Sequence, residues 1–170
     1  MKSMNERKTP SFPVRDHDHG ACVAGALGRA KRRCEEKGIK WTALREQVFQ
    51  HVTASHRPIS AYDLIESLAK EGKRLAPVSV YRILDVLQEA GIVHRLESRN
   101  AFFACMTAHD GGRQTVTFLC GSCGYVSEAE APEAFRAIGE VSKAAGFQPQ
   151  GTIVEVNGTC AGCRERRAPC

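Results

Sequence analysis

The chain has 170 residues, of which 42% are hydrophobic and 25% are charged, a composition typical of globular proteins. No run of about 18 apolar residues is present, which excludes a membrane-spanning helix, and the N-terminus lacks the apolar core of a signal peptide. We therefore expect a cytoplasmic protein, whose eight cysteines are more often metal ligands or redox groups than disulfides.

The net charge of +5 is unevenly distributed. Residues 22–100 contain fourteen Lys and Arg against nine Asp and Glu, whereas residues 101–170 contain six against seven. A basic first half followed by a near-neutral second half indicates that the first half contacts a polyanion.

The first half is predicted to be helical and to end in a hairpin. Residues 1–21 are expected to form a flexible arm, because they combine Pro, Gly and mixed charges without a hydrophobic period. Apolar residues then recur at helical spacing in four segments, 22–37, 43–57, 61–71 and 77–90, with Thr42 and Ser60 as N-caps. The segments 92–97 and 101–105 are predicted to form a β-hairpin. This order indicates a winged helix-turn-helix domain over 22–98, followed by a hinge at 99–101.

The last helix before the wing is the one that enters the DNA major groove in such a domain. We predict that Ser79, Tyr81, Arg82 and Asp85 lie on its face opposite the core. An arginine there can bind guanine O6 and N7, and a tyrosine can contact a thymine methyl group or a phosphate. Ser79, Tyr81 and Arg82, with Arg45 of the second helix, are therefore candidate DNA contacts.

The second half, 102–170, is predicted to be a small α/β domain, so that the whole chain is of the α+β class. Strands are expected at 116–120, 125–130 and 152–156, with a helix from Pro132 that directs Phe135, Ile138 and Val141 inward. So small a unit buries little apolar surface, so it needs a metal or a partner for stability.

The strongest motif is a pair of CxxC sequences. Cys120-x-x-Cys123 and Cys160-x-x-Cys163 are separated by 36 residues and offer four thiolates, which suit tetrahedral zinc. A thioredoxin-type redox pair requires a CxxC at a helix start after a strand in a βαβ context, which is predicted for neither motif. A closed four-cysteine site leaves no position for water, so we expect a structural role and no enzymatic activity.

A second set of donors lies near the predicted hinge. His94, Cys105, His109 and Glu128 would make a mixed site of two imidazoles, one thiolate and one carboxylate. A histidine or cysteine on a strand is also a common packing residue, so spacing alone does not decide between these roles.

These residues carry a resemblance to a known family. The chain resembles the ferric uptake regulator (Fur) superfamily and, within it, the zinc uptake regulator (Zur) branch. The resemblance covers residues 22–165, in the motifs ISAYDLIESL (59–68), PVSVYRILDVLQEAGIVHRLES (77–98), FLCGSCGYVSE (118–128) and NGTCAGC (157–163).

The resemblance implies a function and residue roles. It implies a homodimeric repressor that binds an AT-rich, inverted-repeat operator when its regulatory zinc site is filled, controls zinc-uptake genes and carries two Zn²⁺ per chain. Cys120, Cys123, Cys160 and Cys163 match the structural zinc ligands. His94, Cys105 and Glu128 match regulatory ligands, and Tyr62 and Arg82 match positions that face DNA bases.

The sequence departs from the family pattern at the fourth regulatory ligand. That ligand is commonly a histidine seven residues before the first knuckle cysteine, where this chain has Arg113. His109 is our substitute, and water or another donor is the alternative. TAHDGGRQ (107–114) lacks the histidine-rich run of the iron-sensing members, and the Cys105 thiolate favours zinc over iron.

Two other functions stay open at this point. An iron- or peroxide-responsive regulator of the same superfamily would respond to iron or to oxidation. A zinc-dependent hydrolase would need an open metal position and a general base such as Glu128, but the chain has no HExxH motif. No role is predicted for Cys22, Cys34 or Cys170, and His17 and His19 are expected to lie in a solvated tail.

Overall fold

A computed structural model describes Phe12, residues 18–105 and residues 114–166. It confirms the α+β class, with five longer helices, a short sixth helix and two three-stranded sheets in the described residues. The elements follow in chain order as α1 (His19–Glu36), α2 (Ala43–Thr53), β1 (Ile59–Ser60), α3 (Ala61–Lys70), α4 (Pro77–Glu89), β2 (Val93–Leu96), a 3₁₀ helix (Glu97–Arg99), β3 (Ala101–Ala104), β4 (Thr115–Cys120), β5 (Val126–Glu130), α5 (Pro132–Ala144), β6 (Val154–Gly158) and α6 (Ala161–Glu165).

Side-chain caps determine where the first three helices begin. The predicted caps Thr42 and Ser60 each accept a hydrogen bond from the backbone N–H three residues later. Asp18 caps α1 in the same way, by accepting from the Ala21 N–H. The first helix therefore begins at His19, earlier than the predicted start at Cys22 and within the segment predicted to be an arm.

The main core lies in the winged-helix half. Helices α1 to α4 pack around fully buried side chains that include Phe49, Leu64 and Leu84. The strands β1, β3 and β2 form an antiparallel sheet in that order, and Phe102 and Ala104 of β3 complete the core. This half satisfies the predicted helix, helix, helix and hairpin pattern.

The wing is a β2–β3 hairpin, closed by the 3₁₀ helix and by Asn100. Asn100 has a left-handed backbone with φ of 46°, a conformation that asparagine tolerates better than most residues. Because β3 pairs with both β1 and β2, residues 99–101 belong to the hairpin turn and the start of β3. The connection to the second sheet therefore comes after Cys105, and not at the predicted hinge.

The second sheet has the order β5-β4-β6. Strands β4 and β5 are antiparallel, and β6 returns parallel to β4 after crossing through α5. Its apolar contact with the wing is a small cluster of Leu96, Phe103, Leu119 and Val126, drawn from both sheets.

The prediction that α5 directs its apolar face inward is wrong for the single chain. No residue of this helix is buried, Phe135 and Ile138 are half-buried, and Val141 is 70% exposed. The sequence pattern correctly identified an apolar stripe, but the described chain covers it only in part and leaves Val141 exposed.

None of the helices in the described ranges, 18–105 and 114–166, is both long and apolar enough to cross a membrane.

Candidate metal centres and DNA-contact surface

The two CxxC motifs converge at one end of the second sheet. Cys120 ends β4, Cys123 lies in the turn after it, Cys160 precedes α6 and Cys163 lies within that helix. The parallel pairing of β4 with β6 places Cys120 opposite Gly158, two residues before Cys160. All four Sγ atoms consequently lie within 4.8 Å of one another.

A tight turn directs the first two sulfur atoms inward. Gly124 has a φ of +75°, a conformation that a side chain would strain, and its N–H donates to the Cys120 carbonyl. The Gly121 N–H donates to the Gly158 carbonyl and so joins this turn to the end of β6. Cys120, Cys123 and Cys163 are buried, and Cys160 is half-buried.

The spacing of the sulfur atoms fits a metal better than a disulfide. Cys123 Sγ lies 3.9 Å from Cys160 Sγ, far beyond the S–S bond length of about 2.05 Å. Four sulfur atoms at about 2.3 Å from one tetrahedral zinc would be about 3.8 Å apart. The donor set and its spacing therefore fit zinc.

The second CxxC motif has part of the local context of a redox pair. Cys160-x-x-Cys163 lies at the start of α6 directly after β6, but no strand follows α6 within the described residues, so a βαβ unit is not formed there. The other CxxC motif faces it directly, so the thiols form one group of four and not an isolated redox pair.

The four thiols do not ionise equally. Burial opposes ionisation of Cys120, but hydrogen bonds from the N–H groups of Cys160, Cys123 and Ser122 outweigh it and lower its pKa to about 6. Burial, together with the neighbouring thiols, raises the pKa of Cys160 to about 12. Four negative charges cannot gather here without a cation, which is the property of a thiolate metal site.

Three of the four predicted regulatory donors also come together. The ligand atoms of His94, Cys105 and Glu128 lie within 4.8 Å of one another, and His94 Nε2 is 3.7 Å from Glu128 Oε1. Glu128 is buried, and the other two side chains are half-buried. His109 and Arg113 lie outside the described residues, so His109 stays a prediction.

These three donors come from both halves of the chain. His94 lies on β2 opposite Phe103, and Cys105 follows β3, where its N–H donates to the Ile92 carbonyl. Glu128 lies on β5 opposite Thr117. An ion bound by all three would join the wing to the second sheet. The chemistry of the set, one imidazole, one thiolate and one carboxylate, fits zinc.

The predicted DNA contacts lie on three helices, α2, α3 and α4. Tyr62 at the start of α3 is 74% exposed, Arg82 on α4 is exposed, and Ser79 and Arg45 are half-buried. The prediction that Tyr81 lies opposite the core is wrong, because this side chain packs against the core cluster. Val78, which was not among the predicted contacts, is 56% exposed on α4 between Pro77 and Ser79.

A third group of possible ligands was not predicted. His19, Cys22 and His56 bring their ligand atoms within 4.8 Å of one another, although the sequence separates His56 from the other two by a whole helix. Only the packing of α1 against α2 reveals this cluster.

Comparison with known proteins gives consistent matches. The model of the ferric uptake regulator family matches residues 36–157. The zinc uptake regulation protein of Escherichia coli (strain K12) is 31% identical over 142 residues, which cover 84% of this chain and 83% of the relative. The ferric uptake regulation protein of Campylobacter jejuni is 27% identical over 145 residues, which cover 84% of this chain and 90% of the relative.

Solved structures of zinc uptake regulators are also similar to this chain. A zinc uptake regulator complexed with zinc and DNA is 30% identical, with a TM-score of 0.77 over 86% of this chain and 98% of that one. Holo XcZur is 33% identical, with a TM-score of 0.69 over 87% of this chain and 99% of that one.

Proposed function

This chain belongs to the ferric uptake regulator family of transcription regulators, and from that premise we propose that it is a zinc-responsive repressor. It binds operator DNA as a homodimer when its regulatory zinc site is filled and thereby controls genes for zinc uptake. The observation that carries the proposal is the cluster of His94, Cys105 and Glu128, which spans the two halves of the molecule.

Zinc is the metal that the donors favour. The four-cysteine site is closed and supports a structural zinc ion, and a thiolate in the mixed site favours zinc over high-spin iron. We propose His109 as the fourth ligand of the mixed site. Two relatives in the comparison are named for zinc uptake regulation or for a complex with zinc and DNA.

The switch is a coupling free energy between zinc and DNA. His94 and Cys105 belong to the winged-helix half and Glu128 to the second sheet, so zinc restricts how one half moves relative to the other. A dimer whose winged helices are fixed in this way matches two DNA half-sites more often. Coupling of about 1–3 kcal/mol changes affinity by roughly 5–150-fold, and DNA must tighten zinc binding by the same factor.

Uncovered apolar side chains in the second half support the homodimer. Val141 of α5, Phe147 and Ile153 are each more than 65% exposed, and Val156 lies on β6, an edge strand of its sheet. Residues so placed in a soluble chain indicate an interface, here with a second copy. We predict that the dimer interface buries α5 and β6 of both protomers.

The direct test follows zinc stoichiometry and DNA binding in one titration. The DNA is a duplex selected from a random pool by the zinc-loaded protein. We expect operator binding to appear only as a site weaker than the four-cysteine site fills. Zinc affinity of that weaker site should fall between about pH 7.5 and about pH 6, because protons compete for His94 and Cys105.

The matched variant pair is His94→Gln and His51→Gln. His51 lies on α2, paired with Glu71 and outside the proposed regulatory site. His94→Gln should remove the zinc dependence and His51→Gln should retain it. DNA binding that is indifferent to zinc, but lost on mild oxidation, would instead identify a peroxide-responsive regulator.

A further inference from the structure

Three donor side chains lie together outside both proposed zinc sites. His19 and Cys22 come from the first turns of α1, and His56 comes from the loop between α2 and β1. Their ligand atoms are within 4.8 Å of one another. His56 is buried, with 9% of its surface exposed, and the other two are half-buried. The cluster is therefore held inside a packed junction and is not a chance encounter on a solvated tail.

Local structure brings the three side chains to one point. Asp18 caps α1 and begins the helix at His19, and residues three apart in a helix lie on the same face. His19 and Cys22 thus face the same way. The packing of α1 against α2 turns that face toward the loop that begins at Ala54, where α2 ends.

The hydrogen bonding of His19 is that of a metal ligand. Its Nε2 lies 2.9 Å from the Ala54 carbonyl oxygen, which can only accept, so Nε2 carries the proton and donates. In that tautomer Nδ1 keeps its lone pair and is the nitrogen that can bind a metal. Histidines that bind metals usually donate their other ring N–H to a carbonyl or carboxylate in this way, which fixes the ring and its tautomer.

Aromatic contacts hold His56 in place. Its ring lies 5.1 Å from the His19 ring, centroid to centroid, and 5.6 Å from the Tyr125 ring, in edge-to-face arrangements. Tyr125 directly follows the Cys120-x-x-Cys123 turn. The cluster therefore lies between the first helix, the α2–β1 loop and the second half of the chain.

We propose that His19, Cys22 and His56 form a third zinc site. Two imidazoles and one thiolate are a donor set for zinc, and three protein ligands leave a fourth position for water. An open position makes this ion easier to exchange than one held by four cysteines. The site stands on its own geometry and does not depend on the proposed repressor function.

The position of the site indicates what the ion would do. The His56 carbonyl accepts a hydrogen bond from the Val126 N–H at 3.2 Å, and Val126 begins β5, the strand that carries Glu128. Zinc bound by His56 would thus fasten α1 and the α2–β1 loop to the strand that supplies a ligand of the mixed site. The third ion would therefore stiffen the junction between the winged-helix half and β5.

The test is metal stoichiometry of the full chain, measured by competition with a chelator for zinc and by absorption for cobalt. The variants are Cys22→Ser and His19→Gln, with His51→Gln as the control outside all three clusters. Wild type and His51→Gln should bind one more ion per chain than either variant. The extra cobalt in the wild type should add sulfur-to-cobalt charge-transfer absorption, which Cys22→Ser should lack.

Amide exchange at Val126 gives a second readout. Filling the third site should slow exchange of this N–H in the wild type and leave it unchanged in both variants. Equal stoichiometry in all four proteins would overturn the proposal. So would loss of the ion in Cys22→Ser alone, since Cys22 would then bind zinc without the histidines. If Cys22→Ser fails to fold, His19→Gln decides the outcome by the same two measurements.

Discussion

The two halves of this molecule are stabilised in different ways. In the winged-helix half, four helices and a sheet enclose a large set of fully buried apolar side chains. Among the described residues, the second half contributes Leu119 and Val126 to an apolar cluster shared with the wing, and its other buried cluster consists of cysteines. Hydrophobic burial can hold the first half together, whereas the second has little buried apolar surface of its own, which the proposed zinc ion and the proposed second copy would supplement.

The exposed apolar residues show the same division. In the first half they are Tyr62 and Val78, single residues on the helices proposed to meet DNA. In the second half they are grouped on α5, on β6 and on the segment between them. The first half is thus nearly complete as a folding unit, and the second leaves an apolar surface that the proposed dimer would cover.

The largest effect is expected for Cys123→Ser. Structural zinc binding contributes on the order of 10 kcal/mol to the folded state, and loss of one thiolate removes much of it. The second half should lose its structure and the dimer should dissociate, while the winged-helix half stays folded. Amide exchange resolved by segment measures this directly.

Ser122→Ala is the matched control for that variant. Ser122 is exposed in the same turn, and its N–H toward Cys120 is unaffected by the substitution. A stable, dimeric Cys123→Ser protein would show that zinc does not support the second half. Unfolding of both halves together would show that they form one cooperative unit.

Phe49→Ala tests the winged-helix half. Phe49 is 1% exposed in the main core, and such a truncation costs about 3–5 kcal/mol through lost burial and the cavity it leaves. The loss should be nearly the same with and without a zinc chelator, because none of the proposed zinc ligands belongs to this core cluster. Val78→Ala, at an exposed position on α4, should change the free energy of unfolding little.

Much of this division was predictable from the sequence. Helical periodicity, the caps Thr42 and Ser60 and the two CxxC motifs determine the elements and the four-cysteine group, because each signal is local. The hinge was misplaced because the polar residues Arg99 and Asn100 suggested a linker, whereas in the structure they close the wing hairpin.

Other features depend on contacts that the sequence does not display. The inward direction predicted for Val141 failed because periodicity reveals an apolar stripe but not which surface covers it. Tyr81 was assigned to the outer face although it packs on the core. The His19, Cys22 and His56 cluster requires the start of α1 to lie against the end of α2, a tertiary contact with no motif.

Arg82→Ala distinguishes base recognition from general attraction in the first half. Arg82 is exposed on α4, and loss of a bidentate contact to guanine costs about 1–3 kcal/mol of operator affinity. Affinity for unrelated DNA should change little, and the stability and zinc content should not change. Binding to selected and random duplexes at one fixed salt concentration measures the difference. Equal losses on both would make Arg82 a phosphate contact.

The smallest effect concerns the polar contact that joins the halves. Glu155 of β6 accepts hydrogen bonds from the N–H groups of Glu97 at 2.6 Å and Ser98 at 3.1 Å, in the turn of the wing. Burial opposes its ionisation, but these bonds and one from the Ser98 side chain outweigh it and lower its pKa below the ordinary value of 4.5. Glu155→Gln should therefore loosen the wing from β6 and cost about 1 kcal/mol near neutral pH.

The lowered pKa of Glu155 determines the direction in which this contact depends on pH. A carboxylate with a lowered pKa stabilises the fold above the pKa of the unfolded chain, and the contribution is lost as the pH falls through the lower, folded value. The difference in free energy of unfolding between wild type and Glu155→Gln should thus be constant near neutral pH and disappear only under acid conditions. The amide resonances of Glu97 and Ser98 should report this titration in the wild type and in the exposed control Glu36→Gln, but not in Glu155→Gln. If they titrate alike in all three proteins, the two halves are joined by zinc and the small apolar cluster, and Glu155 contributes nothing.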